Sequence, residues 1–290
     1  MTVPVPLRLR PLEIGDLLDE TFRLYRRHFL LFAGISVLLA IPSAGLFALG
    51  FGALAATSQI SGGVTTFDST GLTLLLATFG VVVFVSILIL PFTHSAVIYA
   101  ACESAQGRPV TAGGMLAAVG RRYFPLLAYW LLFNVYTAYL ATILCVAPVV
   151  LWIWAFVGWF VVTPAMFVEQ IGLGAAFSRS WQLVRGRWWR TFLIVFLLVV
   201  LWFLLDIGLG AFVNLAQGLL SVFVSPFLST IVSAAGGQLV GALVNPVIQI
   251  AIVLVYFDLR VRKEAFDLQI MMNPGGNFSS GPAGVPRALS

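Results

Sequence analysis

The chain has 290 residues, 60% of them hydrophobic and only 9% charged, with a mean hydropathy of +1.03, whereas a soluble domain carries about 25% charged residues. Sixteen Lys and Arg against eleven Asp and Glu leave a net charge of +5, but so apolar a chain excludes a nucleic-acid module with a solvated basic face. Two cysteines, Cys102 and Cys145, are too few for a disulfide scaffold or a Cys-type zinc site.

In chain order, the first 28 residues do not read as a cleavable signal, because Glu13, Asp16, Asp19 and Glu20 interrupt any short apolar region after the basic start. Six uncharged runs follow that approach the ~20 apolar residues needed to cross ~30 Å of hydrocarbon. They cover residues 29–56, 72–101, 124–147, 148–168, 191–215 and 238–257. The basic residues fall into four segments: Arg8 to Arg27, Arg108 to Arg122, Arg179 to Arg190, and Arg260 to Arg287. The intervening connections, 57–71, the 147–148 turn and 216–237, hold no Lys or Arg. By the positive-inside rule both termini are cytoplasmic, and an even number of spans is required. The expected fold is an all-α, polytopic integral membrane bundle of six transmembrane helices, with amphipathic interfacial helices on the cytoplasmic side. Its expected location is a bacterial inner membrane, since arginine outnumbers lysine fifteen to one, as a GC-rich genome produces. The tail over 271–290, rich in Gly, Pro and Ser, is expected to be disordered, and its Asn277 sequon to face the cytoplasm.

Three of the basic segments resemble one another. Gly15 is followed by Phe22, Arg26 and Phe29 at +7, +11 and +14, and Gly174 by Trp181, Arg185 and Trp188 at the same offsets. The middle copy, Gly113 to Phe124, matches once about one helical turn is deleted. Each copy leads into a span. Ile14, Leu17, Leu18, Phe22, Tyr25 and Phe29 recur at helical spacing in the first copy, and Phe177, Trp181, Val184 and Trp188 in the third. These elbow helices either rest on the bundle and fix topology or offer cations to anionic headgroups. The candidate headgroup contacts are Arg23, Arg26, Arg27, Arg121, Arg122, Arg179, Arg185, Arg187 and Arg190. Because every copy enters from the same side, the repeat is parallel rather than inverted.

The opening residues Arg10 to Asp19 with Phe22 to Arg27, the central Ala176 to Arg190 and the closing Tyr256 to Asp267 resemble the membrane domain of glycerophosphoryl diester phosphodiesterases, across nearly all of residues 7–270. The resemblance implies a stand-alone membrane domain, since the chain has no room for that family's catalytic barrel. A phosphodiesterase of that type needs histidines for acid/base work and clustered carboxylates for a divalent metal. The two histidines, His28 and His94, lie in no such motif, and no nucleophile elbow, P-loop or zinc helix occurs. No catalytic residue, metal or cofactor is therefore expected.

Intramembrane polar groups are costly and mark candidate pathways. Asp206 is the one acid well inside a run, about 24 Å from Arg190 along a helix. With Asn214, Asn245 and Gln249 it forms the candidate lining of a transporter or channel, against the simpler reading of interhelical bonding. A row at every fourth residue from Gln217 to Gln249 contains Gly237 and Gly241, read as a close-packing seam. The stretch 219–235 reads as a surface or re-entrant helix broken near Gly236-Gly237. Glu103 and Glu169 are expected to pair with elbow arginines. Asp258–Arg262, Arg260–Glu264 and Lys263–Asp267 are i,i+4 pairs on a solvated helix end that could dock on the elbows. The expected function is a non-catalytic membrane module that binds or organises anionic lipid or supports a membrane partner. The alternative is a transporter or channel, and third comes an accessory role in glycerophospholipid metabolism.

Overall fold

A computed structural model describes residues 13–57, 59–61, 64–66, 69–142 and 146–264. Apart from one short hairpin, the regular structure is helical. In chain order the elements are α1 (Ile14–Arg27), α2 (Phe29–Thr57), β1 (Gln59–Ser61), β2 (Val64–Thr66), α3 (Ser69–Ala105), α4 (Ala112–Arg121) and α5 (Tyr123–Thr142). Then follow α6 (Val146–Gly158), α7 (Val162–Val168), α8 (Leu173–Val184), α9 (Trp188–Leu220) and α10 (Pro226–Glu264). The hairpin pairs β1 and β2 antiparallel, with Ile60 opposite Thr65. The tail over 271–290, with its sequon, and Asp267 lie outside the described residues.

Among the described residues four helices are long and apolar enough to cross a membrane: Phe29–Leu46 of α2, Leu76–Ala105 of α3, Trp188–Leu220 of α9 and Ile231–Glu264 of α10. The fourth apolar run, 148–168, is not one helix. α6 stops at Gly158 and α7 starts at Val162. Pro164 explains the break, because its ring would strike the carbonyl of Phe160 in a continuous helix, whereas in the first turn of a new one it is tolerated. The backbone between tightens, with Phe160 N–H donating to Val157 O at 3.4 Å and Val162 N–H to Trp159 O at 3.3 Å.

The segment 216–237 also differs from its sequence reading. α9 continues to Leu220, the chain turns, and α10 starts on Pro226 and passes unbroken through Gly236 and Gly237. Proline at a first helical position sacrifices no hydrogen bond. The close approach falls on Gly236, where a Cβ would lie 2.7 Å from Val213 Cγ1, while Gly237 has nothing within 4 Å. A one-residue step turns the helix by about 100°, so the neighbouring glycine of the seam faces elsewhere.

The chain forms two compact units, whose boundaries fall inside α1, α3, α9 and α10. One comprises residues 25–97 and 197–248. Phe32, Val82, Leu198 and Val244 are buried there, while Leu38, Phe79, Phe84, Leu204 and Phe212 are exposed. Exposed aliphatic and aromatic residues at this density suit a hydrocarbon solvent rather than water. The other unit comprises, among the described residues, 13–24, 98–196 and 249–264, and holds most of the large fully buried side chains, among them Leu17, Met115, Leu126, Met166, Leu183 and Ile250. At its core is the last third of α10. Ile250, Ala251 and every residue from Val253 to Val261 are buried, so this stretch is enclosed on all sides.

The repeat has a structural counterpart. Gly15, Gly113 and Gly174 each occupy the second position of a short helix, α1, α4 and α8. The fourth residue of each, Leu17, Met115 and Ala176, is buried, and so is the eighth, Thr21, Val119 and Ser180. In α8 the deepest stripe is Ala176, Ser180 and Leu183, one residue before the aromatic stripe read from sequence; Phe177 and Trp181 flank it half-buried. After a break of one to three residues, an aromatic residue, Phe29, Tyr123 or Trp188, opens the next helix.

α8 meets α6 at Gly158, whose carbonyl accepts from Ser180 Oγ at 2.8 Å. A Cβ at Gly158 would overlap the Trp181 ring, which also lies edge-on to Trp154 with centroids 4.2 Å apart. Gly158→Val is expected to destabilise by about 1–3 kcal/mol through overpacking. Gly172→Ala, at a position with open space around it, should be neutral, and thermal unfolding in detergent compares the two.

Candidate functional site

The most unusual feature of the second unit is buried charge. Glu169, just after α7, is only 3% exposed, and Asp258 and Arg260 of α10 only 2%. Ions are taken out of water only when other groups replace their solvation. Glu169 receives both carboxylate bonds from Arg179 Nε of α8, at 2.9 and 2.8 Å, and a third from Tyr256 Oη at 2.9 Å. Arg260 Nε lies 3.7 Å from Glu169 and donates to Glu264 at 3.1 Å. Glu264 in turn meets Arg179 NH2 at 2.5 Å. Arg260 NH1 also donates to Tyr256 Oη at 3.3 Å. Two carboxylates and two guanidinium groups make this cluster electrically neutral.

Asp258 faces away from it. Residues 256, 260 and 264 share one face of α10 at i,i+4 spacing, whereas 258 and 262 lie about 160–200° around the helix from their neighbours in that row. There Asp258 takes Arg190 of α9 at 2.5 Å and Arg262 at 2.9 Å. The end of α10 is thus gripped on opposite faces by α7–α8 and by the start of α9. The helix end docks on the third elbow, as its sequence allowed, and on the start of α9: it is buried through Val261, its i,i+4 pairs Asp258–Arg262 and Arg260–Glu264 are formed, and Lys263 stays exposed.

Three of the expected headgroup arginines direct their donors to protein groups outside their own helix. Arg179 and Arg190 bind the carboxylates above. Arg122 donates to Met166 O at 3.0 Å, Ile171 O at 2.8 Å and Gln170 Oε1 at 2.8 Å. It thereby pins the turn after α7, where Gln170 takes a φ of 55°, the left-handed region that side chains other than Gly seldom adopt. Glu103 pairs with Arg108 at 3.4 Å rather than with an elbow arginine.

The other elbow cations stay outside. Arg26, Arg27, Arg121, Arg185 and Arg187 are exposed, and Arg23 pairs with Glu20 on the open face of α1. Beside them stand exposed rings: Phe29 at 44%, Phe124 at 79% and Trp189 at 77%. Each elbow therefore presents a guanidinium and an aromatic face together.

The intramembrane polar candidates lie on α9 and α10. Asn245 Oδ1 accepts from the Trp202 indole at 3.2 Å, an interhelical bond of the ordinary kind. Asp206 is half-buried on α9 and Asn214 exposed, about 12 Å further along the same helix. Gln249 is buried on α10. Among the described residues no group of His, Cys, Asp and Glu could hold a metal ion.

Sequence reasoning missed two participants. Tyr256 reads as one more apolar residue of the last span, yet its hydroxyl joins Glu169 to Arg260; its i,i+4 spacing to Arg260 was the available signal. Lys263 donates to Gln182 O and, at 2.9 Å, to Arg185 O, capping the C-terminus of α8, where a cation is favoured.

Long apolar helices, exposed aliphatic surface and buried, mutually neutralised ions define a helical membrane protein. No family model, curated protein or solved structure matches the chain.

Glu169→Ala is expected to cost about 3–5 kcal/mol, because it strands two guanidinium groups. Glu264→Ala, at a partly exposed position, should cost clearly less; chemical unfolding in detergent checks the order. His28, between α1 and α2, has its pKa lowered by burial and, secondarily, by the Arg27 charge. With the folded value below the unfolded one, its contribution to stability is complete above about pH 6.5 and is lost as pH falls through the folded value. Histidine-resolved NMR titration should place the His28 midpoint below that of a free imidazole, and Arg27→Ala should move it part of the way back.

Proposed function

We propose that the protein is a non-catalytic membrane module whose three elbow helices bind anionic lipid at one face of the bilayer. In this reading the chain crosses six times: α2, α3, α5, the tandem of α6 and α7, α9 and α10 each make one pass. Both termini and all three elbows then face the cytoplasm of a bacterial inner membrane. The observation that carries it is the repeated pairing of an exposed guanidinium with an exposed ring where each of the three short helices gives way to the next helix, at the starts of α2, α5 and α9. Aromatic rings and arginines are favoured at that depth, and each cation near an anionic leaflet adds about 1 kcal/mol of attraction. The likeness of residues 7–270 to the membrane domain of glycerophosphoryl diester phosphodiesterases belongs to the same proposal: a module that serves glycerophospholipid metabolism without performing its chemistry.

Replacing Arg26, Arg27, Arg185 and Arg187 by Gln together should weaken co-purification with anionic lipid and lower affinity for anionic over zwitterionic vesicles by about ten-fold or more, from several kcal/mol of lost attraction. Lipid selectivity equal to that of the parent protein would refute the reading.

A further inference from the structure

The third elbow differs from the other two in charge. The turn Arg185-Gly186-Arg187 links α8 to α9, and both its arginines are exposed. Gly186 has a φ of 88°, which lets the chain reverse there without strain. Lys263, the last basic residue of α10, enters the same place, with its ammonium on the carbonyls of Gln182 and Arg185. Arg185 and Arg187 are near enough for their charges to act on Lys263. Among the described residues no carboxylate is bonded to any of these three cations, and the adjacent Glu264 is held by Arg179 and Arg260. Glu264 offsets part of the charge at Lys263, but it is already paired with Arg179 and Arg260, so the three cations keep an excess of positive charge that a further anion would offset.

Directly below, on α9, Trp189, Leu193 and Phe196 are exposed at 4- and 3-residue spacing, an apolar stripe on one face of the helix. A polar head of high negative charge joined to an apolar chain would complement both parts. A phosphomonoester carries about −1.5 to −2 at neutral pH and three acceptor oxygens, a closer match to three cations than the single charge of a phosphodiester.

We infer that the Arg185-Gly186-Arg187 turn, together with Lys263, is a selective site for a phospholipid with a phosphomonoester headgroup, its acyl chain lying along Trp189, Leu193 and Phe196. The inference rests on the lipid-binding reading above and narrows it to one elbow and one headgroup class.

Native mass spectrometry of the full chain in detergent, with dioleoyl phosphatidic acid, phosphatidylglycerol and phosphatidylcholine as probes, tests it. Phosphatidic acid should bind about ten-fold more tightly than phosphatidylglycerol, the gain expected of one further charge-assisted contact. R185Q/R187Q should abolish that preference, whereas R26Q/R27Q should leave it. Both arginines of the turn are exposed, so an unchanged thermal unfolding midpoint verifies that the variant is folded, and Lys263→Arg, which keeps the charge, should keep the preference. Equal binding of the two anionic lipids, both above phosphatidylcholine, overturns the headgroup assignment while leaving the broader reading intact. Binding of neither above phosphatidylcholine overturns both. A preference that survives R185Q/R187Q, or displacement of phosphatidic acid by an equal concentration of inorganic phosphate, also overturns it, the latter marking a site for the free anion.

Discussion

The structure of the second unit depends on the cost of burying ions. Glu169, Asp258 and Arg260 are almost wholly withdrawn from solvent, and each would pay several kcal/mol of lost hydration if left alone. The fold supplies a replacement for every one. Arg179 and Tyr256 close around Glu169, Glu264 and Tyr256 accept from Arg260, and Arg190 and Arg262 flank Asp258. Because those partners come from α7–α8, α9 and α10, their pairing is possible in only one relative placement of these elements. A purely apolar contact would tolerate sliding by a turn; a guanidinium whose Nε and NH2 are fixed on two different carboxylates does not.

This constraint also divides the basic residues into two classes. Arg122, Arg179, Arg190, Arg260 and Arg262 face protein acceptors and set the geometry at the ends of α5, α8, α9 and α10. Arg26, Arg27, Arg121, Arg185 and Arg187 remain exposed on the elbows. A charge count assigns all of them equally to the membrane face. The structure leaves only the second class for an outside anion, and it is this class that accompanies Phe29, Phe124 and Trp189.

The repeat gives the elbows a common construction. A glycine in the first turn, buried fourth and eighth positions and an aromatic residue at the start of the following helix recur in α1, α4 and α8, although their lengths are 14, 10 and 12 residues. The middle copy keeps its burial pattern despite the missing turn, because burial is counted from the helix start rather than from its end. What distinguishes the third copy is Lys263, brought by α10 to a turn that already holds two arginines.

Composition and spacing alone determined that the chain is helical and apolar enough for a membrane and that a spaced glycine-aromatic pattern recurs, because these depend on local periodicity and on transfer energies summed residue by residue. The break between α6 and α7 was legible in principle, since Pro164 acts on a carbonyl only four residues away. Tertiary structure decided the rest: that the end of α10 is core rather than solvated, that Tyr256 joins Glu169 to Arg260, that Gly236 rather than Gly237 meets Val213, and which arginines turn inward. Each of these depends on the azimuth at which one helix meets another, where a one-residue step rotates a side chain by about 100°. Runs of apolar residues with no polar face carry no record of that angle.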